Sequence, residues 1–250
     1  MHSTPNKMPS ERLISLVVPA YNAGDVLKDS CYQISKYLQE KAIRYELVFV
    51  DDGSTDNTSS VLKELSCLDI NVRFLTNETN MGKGYSVRRG VLESKGDIIF
   101  FTDADLSTPI REMQKLFDGV DQGYDIVIAS RALPDSKVLM HQPFYREYSG
   151  KIFNLIMRSL LSLDLKDTQC GFKCFRKGVA ASVFEKQTLN GFSFDVEVLY
   201  LARKKSFKIK EVPVDWVNFK SSTVNILKDG SCMFLDIVRI WINNRKGIYS

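Results

Sequence analysis

The chain has 250 residues, with 34 Lys and Arg against 30 Asp and Glu and a formal charge of +4. That length suits one sizeable α/β core with a modest appendage. The charge is too weak to argue for nucleic acid, although it suits an anionic ligand or an anionic membrane surface. With only two histidines, His2 in the polar tail and His141 in an expected loop, a Ser-His-Asp triad or a His-rich zinc site would have to be built from His141 alone, which argues against both. Five cysteines without a CxxC pair read as reduced packing thiols of a cytosolic protein. No apolar run approaches the roughly 20 residues that cross a bilayer, and Met1 to Ser10 lacks a signal-peptide core. The protein is therefore expected in the cytoplasm.

After a polar tail over 1–12, Leu13 to Pro19 reads as a strand and Ala20-Tyr21-Asn22-Ala23-Gly24 as the turn that follows. Asp25 to Lys41 carries Val26, Leu27, Ile34, Tyr37 and Leu38 at helical spacing. Glu46 to Val50 is the next strand and runs into Asp51-Asp52-Gly53-Ser54-Thr55-Asp56-Asn57-Thr58, a loop rich in helix caps, with a helix to about Ser66. Val72 to Leu75 leads to Asn80-Met81-Gly82-Lys83-Gly84 and a helix reaching Glu93. Ile98 to Phe101 is a buried strand that ends in Asp103-Ala104-Asp105.

A helix from Pro109 to about Val120 precedes a strand over Asp125–Ser130, which ends at Arg131. Ala132 to Gln142 is the longest loop-like segment and reads as a substrate-covering connection. A helix is expected from about Arg146 to Leu163, then a turn at Asp167-Thr168-Gln169-Cys170-Gly171 into a short strand. Another helix begins near Gly191–Glu197, and Lys208 to Val214 is the last strand. The final helix, about Gly230 to Arg245, carries Phe234, Ile237, Val238 and Trp241 on one stripe. That stripe either packs on the domain or lies in a membrane interface. The division is thus a tail over 1–12, one domain over 13–220 and a C-terminal amphipathic helix within 221–250.

Strands alternating with helices predict a mostly parallel sheet with helices on both faces and right-handed crossovers. Ligands of such sheets bind outside the carboxyl edge, so one pocket collects Asn22, Asp52, Asp103 and Asp105. Two adjacent carboxylates at a buried strand end invite a hard divalent cation, with phosphates completing its shell. An Asx turn or helix cap explains the same residues if they stand alone. Gly82-Lys83-Gly84 fits neither glycine motif for nucleotides: a Walker loop needs Gly where Asn77 stands, and a dinucleotide loop needs Gly where Val87 stands.

Taken in order, Val18-Pro19-Ala20-Tyr21-Asn22, Val50-Asp51-Asp52-Gly53-Ser54-Thr55-Asp56, Asn80-Met81-Gly82-Lys83-Gly84 and Asp103-Ala104-Asp105 resemble the signatures of glycosyltransferase family 2. Ala129-Ser130-Arg131, Arg146, Asp167 to Lys173 and Gly191 to Glu197 are similar to its polyprenyl-phosphate branch, and within it to the dolichyl-phosphate glucosyltransferases. The resemblance implies the GT-A fold and a nucleotide-sugar donor, UDP-glucose favoured. It implies Mg²⁺ or Mn²⁺ on Asp103 and Asp105, and a polyprenyl phosphate acceptor at a membrane surface. It also implies a nucleotide site made of Pro19, Ala20, Tyr21, Asn22, Asp52, Lys83, Asp103 and Ala104, with Asp52 accepting a hydrogen bond from the base.

A phosphate monoester, with its second pKa near about 6, attacks the anomeric carbon without a general base and inverts it. It needs cations to bring it beside another phosphate, and Arg131 and Arg146 are the candidates. Asp195 or Glu197 would serve as base only if the acceptor were a sugar hydroxyl, and helix-start acids explain them equally well. Such a hydroxyl transferase is the main alternative, and a noncatalytic nucleotide-sugar-binding protein is the second.

Overall fold

The computed structural model describes residues 12–138, 160–217 and 226–249, together with Met157. The elements run β1 (Leu13–Ala20), α1 (Gly24–Glu40), β2 (Arg44–Asp51), α2 (Thr58–Leu68), β3 (Val72–Thr76), α3 (Lys83–Leu92), β4 (Ile98–Phe101), a 3₁₀ turn (Ile110–Glu112) and α4 (Met113–Asp121). They continue as β5 (Ile126–Ser130), β6 (Lys137–Val138), β7 (Lys173–Arg176), α5 (Lys177–Phe184), α6 (Phe194–Lys204), β8 (Ile209–Pro213), β9 (Asp215–Trp216) and α7 (Ile226–Arg245).

Seven strands form one sheet in the order β3-β2-β1-β4-β7-β5-β8, and only β7 runs antiparallel to its neighbours. The central strands are almost continuously apolar because both their faces are covered. In β1, Leu16 joins a core with Leu27 and Ile34 of α1, Leu62 of α2 and Phe117 of α4. Its neighbour Val17 faces the opposite core, built with Val87 of α3, Phe184 of α5, Phe194 of α6 and Ile237 of α7. The period of two along the strand thus feeds two helical layers.

The chain leaves β1 for α1 on one face and returns through α3 on the other to β4, on β1's far side. This reversal opens a crevice at the carboxyl ends of β1 and β4, the ordinary ligand position in open α/β sheets. Gly90 lets α3 approach closely: a Cβ there would sit 2.4 Å from Val17 Cγ1.

The connection expected over 132–142 is not all loop where it is described. Lys137 and Val138 pair in parallel with Asp215 and Trp216, a two-residue ladder too short to leave a periodic signal. Arg146 and most of the helix expected over 146–163 lie outside the described residues. Met157, Leu161 and Leu163 are buried in the core shared with α6. Helix α7 packs through Ile237 and Ile240, while Phe234 of the expected stripe is 46% exposed. No helix among the described residues is long and apolar enough to cross a membrane.

Candidate active site

β4 delivers Asp103 and Asp105 to the carboxyl edge as expected from its abrupt apolar end. Lys83, in the first turn of α3, places its ammonium 2.5 Å from Asp103 Oδ1. Burial alone raises the Asp103 pKa, but Lys83, with Lys173 and Arg131 behind it, outweighs that and holds the carboxyl below its ordinary range. Burial likewise works against the Lys83 charge, and Asp103 and then Asp195 more than restore it, so its pKa is raised. Asp105 makes the Asx turn weighed above: its Oδ1 accepts from Ser107 N at 2.9 Å and Ser107 Oγ at 2.7 Å. Ala104 is tied to α1, its carbonyl accepting from Ser30 Oγ at 2.6 Å.

Among the described residues no group of three or more His, Cys, Asp or Glu forms a self-sufficient metal cage. Two hard carboxylates at a cleft edge do fit an ion that keeps several waters and takes substrate phosphates as ligands. The carboxylate of Asp103 also has a fitted neighbour: a Cβ on Gly171 would lie 2.0 Å from Asp103 Oδ2. Gly171→Ala is therefore expected to displace that carboxylate by about 1 Å and lower turnover on the order of 10²-fold. Steady-state rates on a variant whose melting temperature is near wild type would check this.

The edge expected to take the nucleotide is knitted together by short polar side chains. Pro19 and Ala20 end β1, and Ala20 O accepts from Asp52 N at 2.8 Å. Tyr21 is 42% exposed at the edge. Asn22, with φ of 49°, accepts from Thr55 N at 2.8 Å through its Oδ1, joining the first two strand-end loops. Asp52, expected to meet the base, has a structural task within the chain. Its buried carboxylate accepts from Asn77 Nδ2 (2.7 Å), Met81 N (3.0 Å), Gly82 N (2.8 Å) and Ser86 Oγ (2.9 Å). Asp52 thereby fixes the start of α3, and through it the position of Lys83.

Across the crevice, Arg131 is held in a bidentate pair with Asp167, Nε to Oδ2 at 2.7 Å and Nη2 to Oδ1 at 2.9 Å. Its guanidinium carbon lies 5.3 Å from the centroid of the Trp216 ring. Burial opposes ionisation of Asp167, yet Arg131 dominates and brings its pKa down to about 2. The next residue, Val217, donates its N–H to Ser107 O at 2.8 Å, so the Arg131 platform is tied to the loop of the paired aspartates. Asp167 and Trp216 were not recognisable as partners of Arg131 in the sequence, because the contacts join segments 36 residues apart and more.

Both acids considered as a base are already engaged. Asp195, 3% exposed, accepts from Lys173 Nζ at 2.6 Å, and Lys173 itself is fully buried, donating also to Cys170 O at 2.6 Å. Burial, only partly opposed by Lys173 and Lys83, raises the Asp195 pKa. Glu197 is fully buried and accepts from Thr188 N (3.0 Å), Thr188 Oγ1 (2.6 Å), Leu189 N (2.8 Å) and Tyr249 Oη (2.6 Å). With its lone pairs taken and no solvent contact, Glu197 is a structural clamp and not a base. The cysteines are free thiols, with Cys31, Cys170 and Cys174 buried.

A parallel sheet interrupted by one antiparallel strand, with paired aspartates at the carboxyl edge of β4, is the architecture of the GT-A fold. Solved structures agree: glucosyl-3-phosphoglycerate synthase from Mycobacterium tuberculosis, crystallised with Mn²⁺, UDP-glucose and phosphoglyceric acid, superposes with a TM-score of 0.71 at 18% identity, over 92% of this chain and 80% of that one. Residues 15–184 match glycosyl transferase family 2, and the chain belongs to that family. It is 34% identical to a dolichyl-phosphate beta-glucosyltransferase of Dictyostelium discoideum over 98% of this chain and 79% of the relative. It is 32% identical to the Saccharomyces cerevisiae protein of the same name over 96% of this chain and 77% of the relative. These relatives lie in the branch that the motifs around Arg131 and Asp167 resemble.

Proposed function

We propose that the chain transfers glucose, with inversion, from UDP-glucose to a polyprenyl phosphate of the dolichyl type. The observation that carries this reading is the engagement of both acids that would otherwise serve as base. A hydroxyl nucleophile must lose a proton during attack, whereas a phosphate is already anionic at neutral pH. A site that spends Asp195 on Lys173 and Glu197 on four donors suits the phosphate. Arg131 suits it too: Asp167 takes its Nε and Nη2, which leaves the outer Nη1 for a phosphate oxygen. Arg146 is the second phosphate cation proposed from the sequence.

In the reaction a phosphate oxygen of the lipid bonds to the anomeric carbon while the bond from that carbon to the diphosphate breaks, its electron pair leaving with UDP. A Mg²⁺ or Mn²⁺ ion held by Asp103 and Asp105 would supply positive charge to the departing diphosphate. Pro19 to Asn22 and the Lys83 turn, fixed by Asp52, form the nucleotide side.

The acceptor places the enzyme at a lipid surface, as a peripheral protein of the cytoplasmic face. Helix α7 offers the means: Phe234, Leu235 and Ile242 are 46, 65 and 38% exposed on its outer side, beside exposed Arg239 and Arg245. The double variant Phe234→Asp, Leu235→Asp is expected to weaken sedimentation with anionic vesicles by about tenfold or more, without loss of fold.

Purified protein with Mn²⁺ or Mg²⁺, UDP-glucose and a short polyprenyl phosphate tests the reading directly. Glucosylated lipid phosphate appearing with equimolar UDP supports it. Nucleotide binding without lipid product, but with glucose appearing on a sugar hydroxyl, would replace it with the glycan-extending alternative.

A further inference from the structure

A buried polar chain runs from the last described residues of the molecule to the first turn of α3. Tyr249, 3% exposed, donates its phenol to Glu197 Oε1 at 2.6 Å. Asn243 Nδ2 bridges Tyr249 Oη and Thr188 Oγ1, both at 3.3 Å. Glu197 in turn gathers the backbone N–H groups of Thr188 and Leu189. The strap that follows touches the first turn of α3 just after Lys83: Asn190 O accepts from Gly84 N at 2.7 Å and Tyr85 N at 3.2 Å, and Gln187 Nε2 donates to Gly84 O at 2.9 Å. The packing is close enough that a Cβ on Gly82 would meet Asn190 O at 2.5 Å. Between Gly82 and Gly84 sits Lys83, bonded to Asp103.

The first turn of α3 is thus held from two directions. Asp52 grips it from the sheet edge and the 187–191 strap from the helical layer. The Asp52 grip belongs to the family's own loop motif; the strap depends on a tyrosine beyond α7. Burial, and then the Glu197 carboxylate, push the Tyr249 phenol well above its usual range, so it remains a donor at working pH. A carboxylate with four donors and no solvent is a stiff node, and removing one donor leaves an oxygen lone pair that no water reaches.

We infer that Tyr249 is a positioning residue for the donor half of the site: by locking Glu197 it locks the 187–191 strap, and with it the placement of Lys83 against Asp103. It touches no substrate and acts only through this chain of bonds. The kinetic part of the inference rests on the proposed use of a nucleotide sugar at this edge; the mechanical part does not.

Tyr249→Phe tests both parts. Hydrogen exchange at the Gly84 and Tyr85 amides, which bond to Asn190 O, is expected to accelerate about tenfold, while the amides of β1 and β2 keep their protection. The KM for UDP-glucose should rise about fivefold, with kcat and the KM for the lipid phosphate changing less than about twofold. Asn243→Ala, which removes only the bridging amide, should move the same readouts in the same direction and serves should the first variant fail to fold. Unchanged exchange at Gly84 and Tyr85, or a lowered melting temperature with an unchanged donor KM, would reduce Tyr249 to a packing residue and overturn the inference. Faster exchange in a protein that transfers no glucose would uphold the coupling and sink the substrate reading instead.

Discussion

Asp105→Ala is expected to cut kcat/KM on the order of 10³-fold or more while shifting the melting temperature by only a few degrees. The two halves of this expectation have separate origins. For the fold, Asp105 accepts the turn bonds from Ser107 N and Ser107 Oγ, both on one oxygen, so its removal costs roughly 1 kcal/mol. For the reaction, it is one of the two carboxylates proposed to hold the ion, and on that proposal its loss takes away half the protein ligands of a charge that would stabilise the leaving group, worth several kcal/mol in the transition state. Asp103→Ala should behave differently, because it also strands the part-buried ammonium of Lys83. That variant should lose stability as well as rate. Radiolabelled glucose transfer measured beside thermal melts separates the two, and an Asp105→Ala protein retaining a tenth of wild-type activity would remove Asp105 from the proposed ion site.

The order of strands and helices could be read from the sequence because each central strand is an apolar run that ends sharply at a polar loop, as at Val50-Asp51-Asp52 and Phe101-Thr102-Asp103. The gathering of those loops at one edge followed from the alternation alone. The antiparallel seat of β7 between β4 and β5 did not, since its four residues carry no mark of direction. Nor did the tasks of the acids. Asp52, Asp167, Asp195 and Glu197 are equivalent letters in sequence; what separates them is which donors the fold brings to each carboxylate. In α7 the single stripe expected from helical spacing resolves into two sides: Ile237 and Ile240 turn inward, Phe234 and Leu235 outward. A helix apolar on both sides is poorly described by one face, which is why packing and surface contact looked like alternatives.

Lys173→Met is expected to cost about 3–5 kcal/mol of stability at neutral pH, the largest structural effect of any single change considered. Lys173 lies in the middle of the sheet with no exposed surface, its ammonium shared between Asp195 Oδ1 and Cys170 O and 5.3 Å from the Phe101 ring centroid. Methionine fills a similar volume, so the penalty comes from the Asp195 carboxylate left buried with only the more distant charge of Lys83 to answer it. Burial already raises the Asp195 pKa with Lys173 present, and the variant must raise it further. A folded-state pKa above the unfolded value means that protonation favours the folded form, so stability is lost as pH rises through the folded value and regained below it. The gap between variant and wild type in urea midpoint should therefore narrow as the buffer is taken from neutral towards about pH 5. Adding Asp195→Leu removes the stranded charge and should recover most of the loss at neutral pH, because a buried ion pair exchanged whole for apolar side chains is often neutral. The same double variant also weighs on the chemistry. With a phosphate as nucleophile it keeps transfer within about tenfold of wild type, since no proton has to be removed. With a hydroxyl acceptor activated by Asp195, it would fold and yet lose the rate on the order of 10²–10⁴-fold that a general base supplies.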